Sequence, residues 1–147
     1  MRAVSVTEHS AYQIHYHFVT PVKYRKAIIG RAERELSLVE ISKEIEERYE
    51  LKFEQIGIDT NHVHYLVSAA PKFAPANLIQ IIKSITARKL FERHPDLKKE
   101  LWGGELWRDG YFVATVGEGG NSKVISAYVA NQGKVKEHAQ QLKLFSF

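Results

Sequence analysis

The chain contains no cysteine among its 147 residues. A disulfide framework and a thiolate metal centre are therefore excluded, and any bound metal must take nitrogen and oxygen ligands. Long apolar runs are missing too. No stretch of eighteen apolar residues occurs, and the N-terminus has no basic segment followed by an apolar one, so the expectation is a soluble protein without a membrane span or an ordinary export signal. A strong excess of one charge is also absent. The net charge of +4 and pI near 9.2 are compatible with a nucleic-acid partner but are common in proteins that have none. What is present is enough apolar material, 44% of the residues, for one compact domain with its own core.

The most informative stretch is Asp59-Thr60-Asn61-His62-Val63-His64-Tyr65-Leu66-Val67-Ser68. Histidine alternates with bulky apolar residues at the period of a strand, so His62 and His64 share one face while Val63, Tyr65 and Val67 line the other. At about 3.3 Å per residue their Cβ atoms lie roughly 6 to 7 Å apart, a span that suits two ligands of one divalent cation. A polar layer of hydrogen-bonded histidines fits the pair equally well. His15-Tyr16-His17 is a second pair of the same form, on a predicted strand from 11 to 20 in which Ile14, Tyr16 and Phe18 oppose Gln13, His15 and His17. Spacing alone does not choose between the two pairs.

The remaining elements follow from periodicity. A helix is predicted from 30 to 49, with Leu38, Ile41, Ile45 and Tyr49 as its apolar stripe and Glu33, Glu40, Glu44 and Glu47 outside it. A strand from 51 to 59 joins the histidine strand as a hairpin. After Pro71 and Pro75 comes a second helix from 76 to 93, then a linker from 96 to 104 carrying Trp102, then a strand from 106 to 116 in which Tyr111 and Val113 share a side. Gly117-Glu118-Gly119-Gly120 breaks all periodicity and reads as a hinge. Tyr128 and Gln132, four apart on the predicted helix that follows, share a face. The order strand, helix, strand, strand, helix, strand, helix predicts an α+β, ferredoxin-like antiparallel sheet with two helices on one face and a C-terminal tyrosine-bearing helix. The expected organisation is a single domain over 1–147: a core at 11–116, the hinge at 117–120, the tyrosine helix at 121–138 and a tail at 139–147.

Several stretches carry candidate chemistry. Lys23-Tyr24-Arg25-Lys26 is a basic turn with a ring, a composition that grips phosphate and stacks a base, although a solvated loop has the same composition. Lys83, Arg88 and Arg108 are further candidate DNA contacts. His62, His64 and the amide oxygen of Gln132 make a donor set suited to magnesium or manganese. Tyr128 is the candidate nucleophile.

His-hydrophobic-His with Tyr-x-x-x-Gln resembles the HUH single-tyrosine transposases of the insertion-sequence-two-hundred type and their relatives associated with repetitive extragenic palindromes. Tyr16-His17-Phe18-Val19-Thr20-Pro21-Val22-Lys23-Tyr24-Arg25-Lys26, Asn61-His62-Val63-His64, Phe91-Glu92-Arg93-His94 and the stretch from Trp107 to Gly117 follow in that family's order, so the resemblance runs from about Tyr12 to Gln132. It favours His62 and His64 over His15 and His17, and Tyr128 over Tyr111. It implies cleavage and rejoining of single-stranded DNA through a 5′-phosphotyrosine, recognition of hairpin ends, a homodimer with active sites shared between subunits, and a place in the cytoplasm with the nucleoid. Two other classes are kept beside it. One is a domesticated relative that binds hairpin DNA without transposition; the other is an unrelated metal-dependent hydrolase of small phosphate esters.

Overall fold

A computed structural model describes residues 4–6 and 11–116. Two short strands, β1 (Ser5–Val6) and β2 (Ala11–Tyr12), pair antiparallel ahead of the main sheet. The main sheet is built from β3 (His15–Pro21), β4 (Leu51–Ile58), β5 (His62–Ala69) and β6 (Phe112–Thr115), in the order β4-β5-β3-β6 with every pair antiparallel. Helices α1 (Ala32–Arg48) and α2 (Pro75–Arg93) connect its strands. This is the expected ferredoxin-like α+β arrangement, with the two central strands separated in sequence by α1 and β4. The predicted hinge at 117–120, tyrosine helix at 121–138 and tail lie outside the described residues.

One face of the sheet forms the core with the helices. Phe18, Val63, Tyr65 and Val67 from β3 and β5 meet Leu38, Ile41 and Ile45 of α1 and Leu78, Ile79 and Ile82 of α2, all essentially inaccessible to solvent. Each such side chain contributes about 1.5–3 kcal/mol by leaving water. The acidic side of α1 is not simply solvated, as its spacing suggested. Arg93 reaches Glu40 at 2.8 Å and Glu44 at 2.6 Å, and Lys89 reaches Glu44 at 2.8 Å. The charge of α1 thus ties the two helices together, and Ser37 Oγ adds a 2.8 Å contact to His94 Nε2.

The stretch from 96 to 104 is not a plain linker. It contains the one-turn helix α3 (Asp96–Glu100), which buries Leu97, and Leu101 follows it into the core. The cause is Arg34, 1% exposed, whose guanidinium donates to Asp96 at 2.7 Å, to Glu100 at 2.6 Å and to the Ile28 carbonyl at 2.7 Å. A buried cation needs such partners, because removing either side leaves the other desolvated and unsatisfied. The last strand is also shorter than the predicted 106–116. Leu106 and Trp107 belong to the loop before it, where Trp107 bridges Val22 and donates its indole N–H to Thr86 at 2.9 Å.

Candidate functional site

The strand register decides which histidines meet. Val19 lies opposite His64, Pro21 opposite His62 and His17 opposite Leu66. Directly opposed residues point to the same side of a sheet, so His15, His17, His62 and His64 all project from the face away from the two helices. All four are buried, His62 and His64 completely. Their ring centroids are 4.7 Å apart, close enough for both to reach one ion.

The loop from 59 to 62 sets the position of His62. Val22 N–H donates to the Asn61 carbonyl at 2.8 Å and Ile29 N–H to the Thr60 carbonyl at 2.9 Å, while Asp59 N–H bonds back to the His62 carbonyl at 2.9 Å. This approach leaves little room for a side chain at position 30. A Cβ there would lie 3.0 Å from the Thr60 methyl and 3.2 Å from its Cα. Nothing in the pattern of the sequence marks Gly30 for this role, because the contact joins segments thirty residues apart.

Hydrogen bonds orient both imidazoles. Asn61 Oδ1 lies 2.8 Å from His62 Nδ1; an amide oxygen only accepts, so Nδ1 carries the proton and Nε2 keeps its lone pair. His64 Nδ1 lies 2.9 Å from His17 Nε2. Burial pulls the pKa of His17 down to about 4, so near neutral pH it is uncharged and the contact holds a single proton, carried by one of the two nitrogens. In the tautomer with that proton on His64 Nδ1, His64 also presents Nε2 with a lone pair. Partners of this kind fix tautomer and ring orientation in metal-ligating histidines, so the two residues fit a divalent cation. Among the described residues no group of three His, Asp or Glu gathers as a metal site, and the expected third ligand, Gln132, lies outside the described residues, as does Tyr128.

The second His-x-His pair has a different part. His17 supports His64, and His15 Nδ1 lies 3.1 Å from Glu54 Oε1 across the sheet, where the register shift between Phe53 and Gln55 interrupts the regular pairing. Both residues of this pair lie on the same face as His62 and His64 and are engaged there by side-chain contacts. Tyr111 packs against the core, its ring 6.4 Å from that of Phe18.

Five of the seven candidate DNA contacts, Lys23, Tyr24, Arg25, Lys83 and Arg108, gather around two neighbouring clefts. Lys23–Arg25 form a short 3-10 turn directly after β3, held by Lys23 N–H on the Leu106 carbonyl at 2.8 Å and by Arg108 N–H on the Pro21 carbonyl at 2.9 Å. Lys23, Tyr24, Arg25 and Arg108 line one cleft of about 740 Å³. Lys23, Tyr24 and Lys83 line its neighbour of about 870 Å³, floored by Ile79, Ala87, Phe91 and Trp107. Lys83 is more constrained than its place on a helix surface suggested. It donates to the Arg108 and Gly110 carbonyls at 2.9 and 3.0 Å, and its pKa is lowered by desolvation against the opposing pull of Asp109 and Glu105. Arg88 is exposed and lines neither cleft.

Comparison with known proteins identifies the framework that carries these residues. Residues 10–132 match the family described as "Transposase IS200 like". The chain belongs to that family. It is 34% identical over 122 residues to the ISDra2 transposase TnpA of Deinococcus radiodurans, covering 82% of this chain and 85% of that one. It is 27% identical over 137 residues to the transposase for insertion sequence element IS200 of Salmonella typhimurium, covering 92% and 88%. A crystal structure of a protein assigned as a transposase from Deinococcus radiodurans R1 superposes with a TM-score of 0.70 at 28% identity, over 89% of this chain and 99% of that one. The REP-associated tyrosine transposase bound to a REP hairpin shares the fold, with a TM-score of 0.57 at 8% identity over 84% and 70%. The IS200-like match spans both the histidine strand and the positions of Tyr128 and Gln132. Among the described residues of this transposase no helix is long and apolar enough to cross a membrane.

Proposed function

We propose that this IS200-like transposase binds hairpin ends of an insertion sequence as single-stranded DNA and cuts and rejoins them through a 5′-phosphotyrosine on Tyr128. The observation that carries the reading is the pair of fully buried imidazoles, His62 and His64, held side by side with each Nδ1 engaged. Two imidazoles this close, each oriented through Nδ1, suit neighbouring ligands of one cation. Magnesium or manganese held by His62, His64 and Gln132 would supply the Lewis acid that offsets charge on the scissile phosphate.

The protein's own groups do the rest. The Tyr128 hydroxyl gives up its proton and its oxygen attacks phosphorus; a new P–O bond forms as the bond to the 3′ oxygen breaks, and that oxygen takes a proton to become a 3′-hydroxyl. Reversal of the same step with another 3′-hydroxyl rejoins strands, so no nucleotide triphosphate is consumed. Lys23, Arg25, Lys26 and Arg108 neutralise backbone phosphates, and Tyr24 offers a ring to a base. The likeness in fold to a transposase bound to a REP hairpin supports hairpin DNA as the ligand. The assembly is a homodimer in which His62 and His64 of one subunit work with Tyr128 and Gln132 of the other.

The test is incubation of the protein and manganese with a hairpin oligonucleotide bearing a single-stranded flank, followed by a denaturing gel. A covalent protein–DNA adduct is expected for wild type and none for Tyr128→Phe, which should still bind the hairpin. An adduct with the Tyr128→Phe protein would move the nucleophile to another tyrosine. Mixing Tyr128→Phe with His64→Ala under subunit exchange should restore part of the cleavage; persistent inactivity despite mixed dimers would place the tyrosine and histidines of each site in one subunit.

A further inference from the structure

Two large rings stand in solvent outside the histidine site. Trp102 is 77% exposed and Tyr24 is 65% exposed, yet they come from distant segments and meet with centroids 5.9 Å apart and planes at 51°. Folding alone gives no reason to hold two such rings together in water, because neither reaches the core. Their backbones point the same way. Tyr24, Arg25 and Trp102 have φ of 59°, 51° and 55°, a region that residues with a Cβ seldom occupy and that clusters at functional sites. Hydrogen bonds enforce it: Arg25 N–H to the Val22 carbonyl at 2.8 Å, Trp102 N–H to Lys99 at 3.2 Å and Gly103 N–H to Lys98 at 2.6 Å.

The rings are bordered by cations. Lys26 Nζ lies 3.9 Å from the Trp102 ring centre and is itself fixed by the Glu100 carbonyl at 2.5 Å. Lys23 Nζ lies 5.9 Å from the centre of Tyr24. We infer that Trp102, braced by Tyr24, is a stacking platform for one unpaired nucleobase of the bound DNA, with Lys23 and Lys26 beside that nucleotide's phosphates. The centroid distance and tilt leave no slot between the rings, so the base stacks on Trp102 from outside the pair, on the face that the Lys26 ammonium does not cover. An unpaired base can do so, whereas within a duplex each interior base has both faces covered by its neighbours. The platform therefore distinguishes single-stranded or looped DNA from duplex. This inference rests on the DNA-cleavage reading above and adds a residue, Trp102, to its recognition surface.

The two tryptophans make the test direct, because Trp102 is exposed and Trp107 is 3% exposed. Titration of wild type with a hairpin bearing a single-stranded flank should quench indole emission, and Trp102→Phe should abolish the quenching while retaining part of the affinity. Trp102→Ala should weaken binding of that DNA by about 5- to 150-fold, the range for loss of one base–aromatic stack, without altering the circular dichroism or the affinity for blunt duplex. An abasic scan of the unpaired positions should find one whose base matters in wild type and not in Trp102→Ala. Full affinity in Trp102→Ala, equal losses on duplex and hairpin, or unquenched emission at saturation would each overturn the platform while leaving the adduct-forming reaction in place. If wild type neither binds the hairpin nor forms an adduct, the function proposed above fails and the platform falls with it.

Discussion

The two faces of the central strands share a backbone but answer to different physics. Toward α1 and α2, β3 and β5 direct Phe18, Val63, Tyr65 and Val67, which gain free energy simply by leaving water. Away from the helices the same strands direct His15, His17, His62 and His64, whose burial is costly unless each ring finds a polar partner. Burial shows its effect in the titration of both faces: it pushes the Tyr65 hydroxyl well above its ordinary pKa and pulls His17 well below. On the helix face that shift is incidental to packing. On the histidine face it keeps His17 neutral in its contact with His64. One face is a core, and the other is a buried polar layer.

The comparison breaks if stability and activity cannot be separated along it. His64→Ala should give the largest effect, loss of cleavage beyond the roughly 10- to 100-fold expected from removing a mere supporting partner of a ligand, with near-native thermal unfolding. Adduct formation across a manganese titration measures it; undiminished activity would shift the metal to His15 and His17. Phe18→Ala, on the opposite side of the neighbouring strand, should do the reverse. It empties a fully buried site and should cost about 3–5 kcal/mol in denaturant unfolding, while the fraction that remains folded cleaves at close to the normal rate.

His17→Gln tests the polar face by pH. In metal-free protein His17 binds its proton near pH 4, against 6.5 when unfolded. Between these values the unfolded chain holds more protons, so stability rises with pH through the window and falls as pH is lowered from 6.5 toward 4. The full swing amounts to about 3 kcal/mol. His64, His62, His15 and Glu54 face the same side and Glu44 and Asp96 titrate elsewhere, so the measured quantity is the wild-type dependence minus that of His17→Gln in chemical denaturation. A difference that does not vary between pH 6.5 and 4 would mean that His17 is protonated in the folded protein and that His64 is oriented by other means.

How much of this was legible from sequence follows the same division. Alternation in 15–21 and 62–69 exposed both faces of the sheet, because a period of two is a local property. The contact of His17 with His64 was not legible, since it depends on the register of strands forty-seven residues apart in sequence. Gly30 against Thr60 is hidden for the same reason. The docking of α3 was missed because a single turn has too few residues to show a period, and what holds it is the buried charge of Arg34. Trp102 read as a linker aromatic until the fold placed Tyr24 beside it. Motif order conveyed the family, which local periodicity had no means to do.

The smallest expected effect concerns the basic turn, which lies at the end of β3 beside the α2 clefts and so belongs to neither buried face. Its charges should act through counterion release, which for single strands lowers the logarithm of affinity by about 0.7 per tenfold salt for each phosphate neutralised. Substituting Lys23, Arg25 and Lys26 together by glutamine should therefore flatten the salt slope of hairpin binding by up to about 2. The structure refines this figure by residue. Lys26 is held by the Glu100 carbonyl and lies over Trp102, and Lys23 approaches Asp109 at 4.0 Å, so both begin partly compensated within the protein. Single substitutions of either should change the slope by less than a full contact. Electrophoretic titrations at several salt concentrations give the slopes. An unchanged slope in the triple variant would show that the phosphates bind elsewhere, while a steep slope on duplex matching that on hairpin would show that this turn adds affinity without selecting the strand.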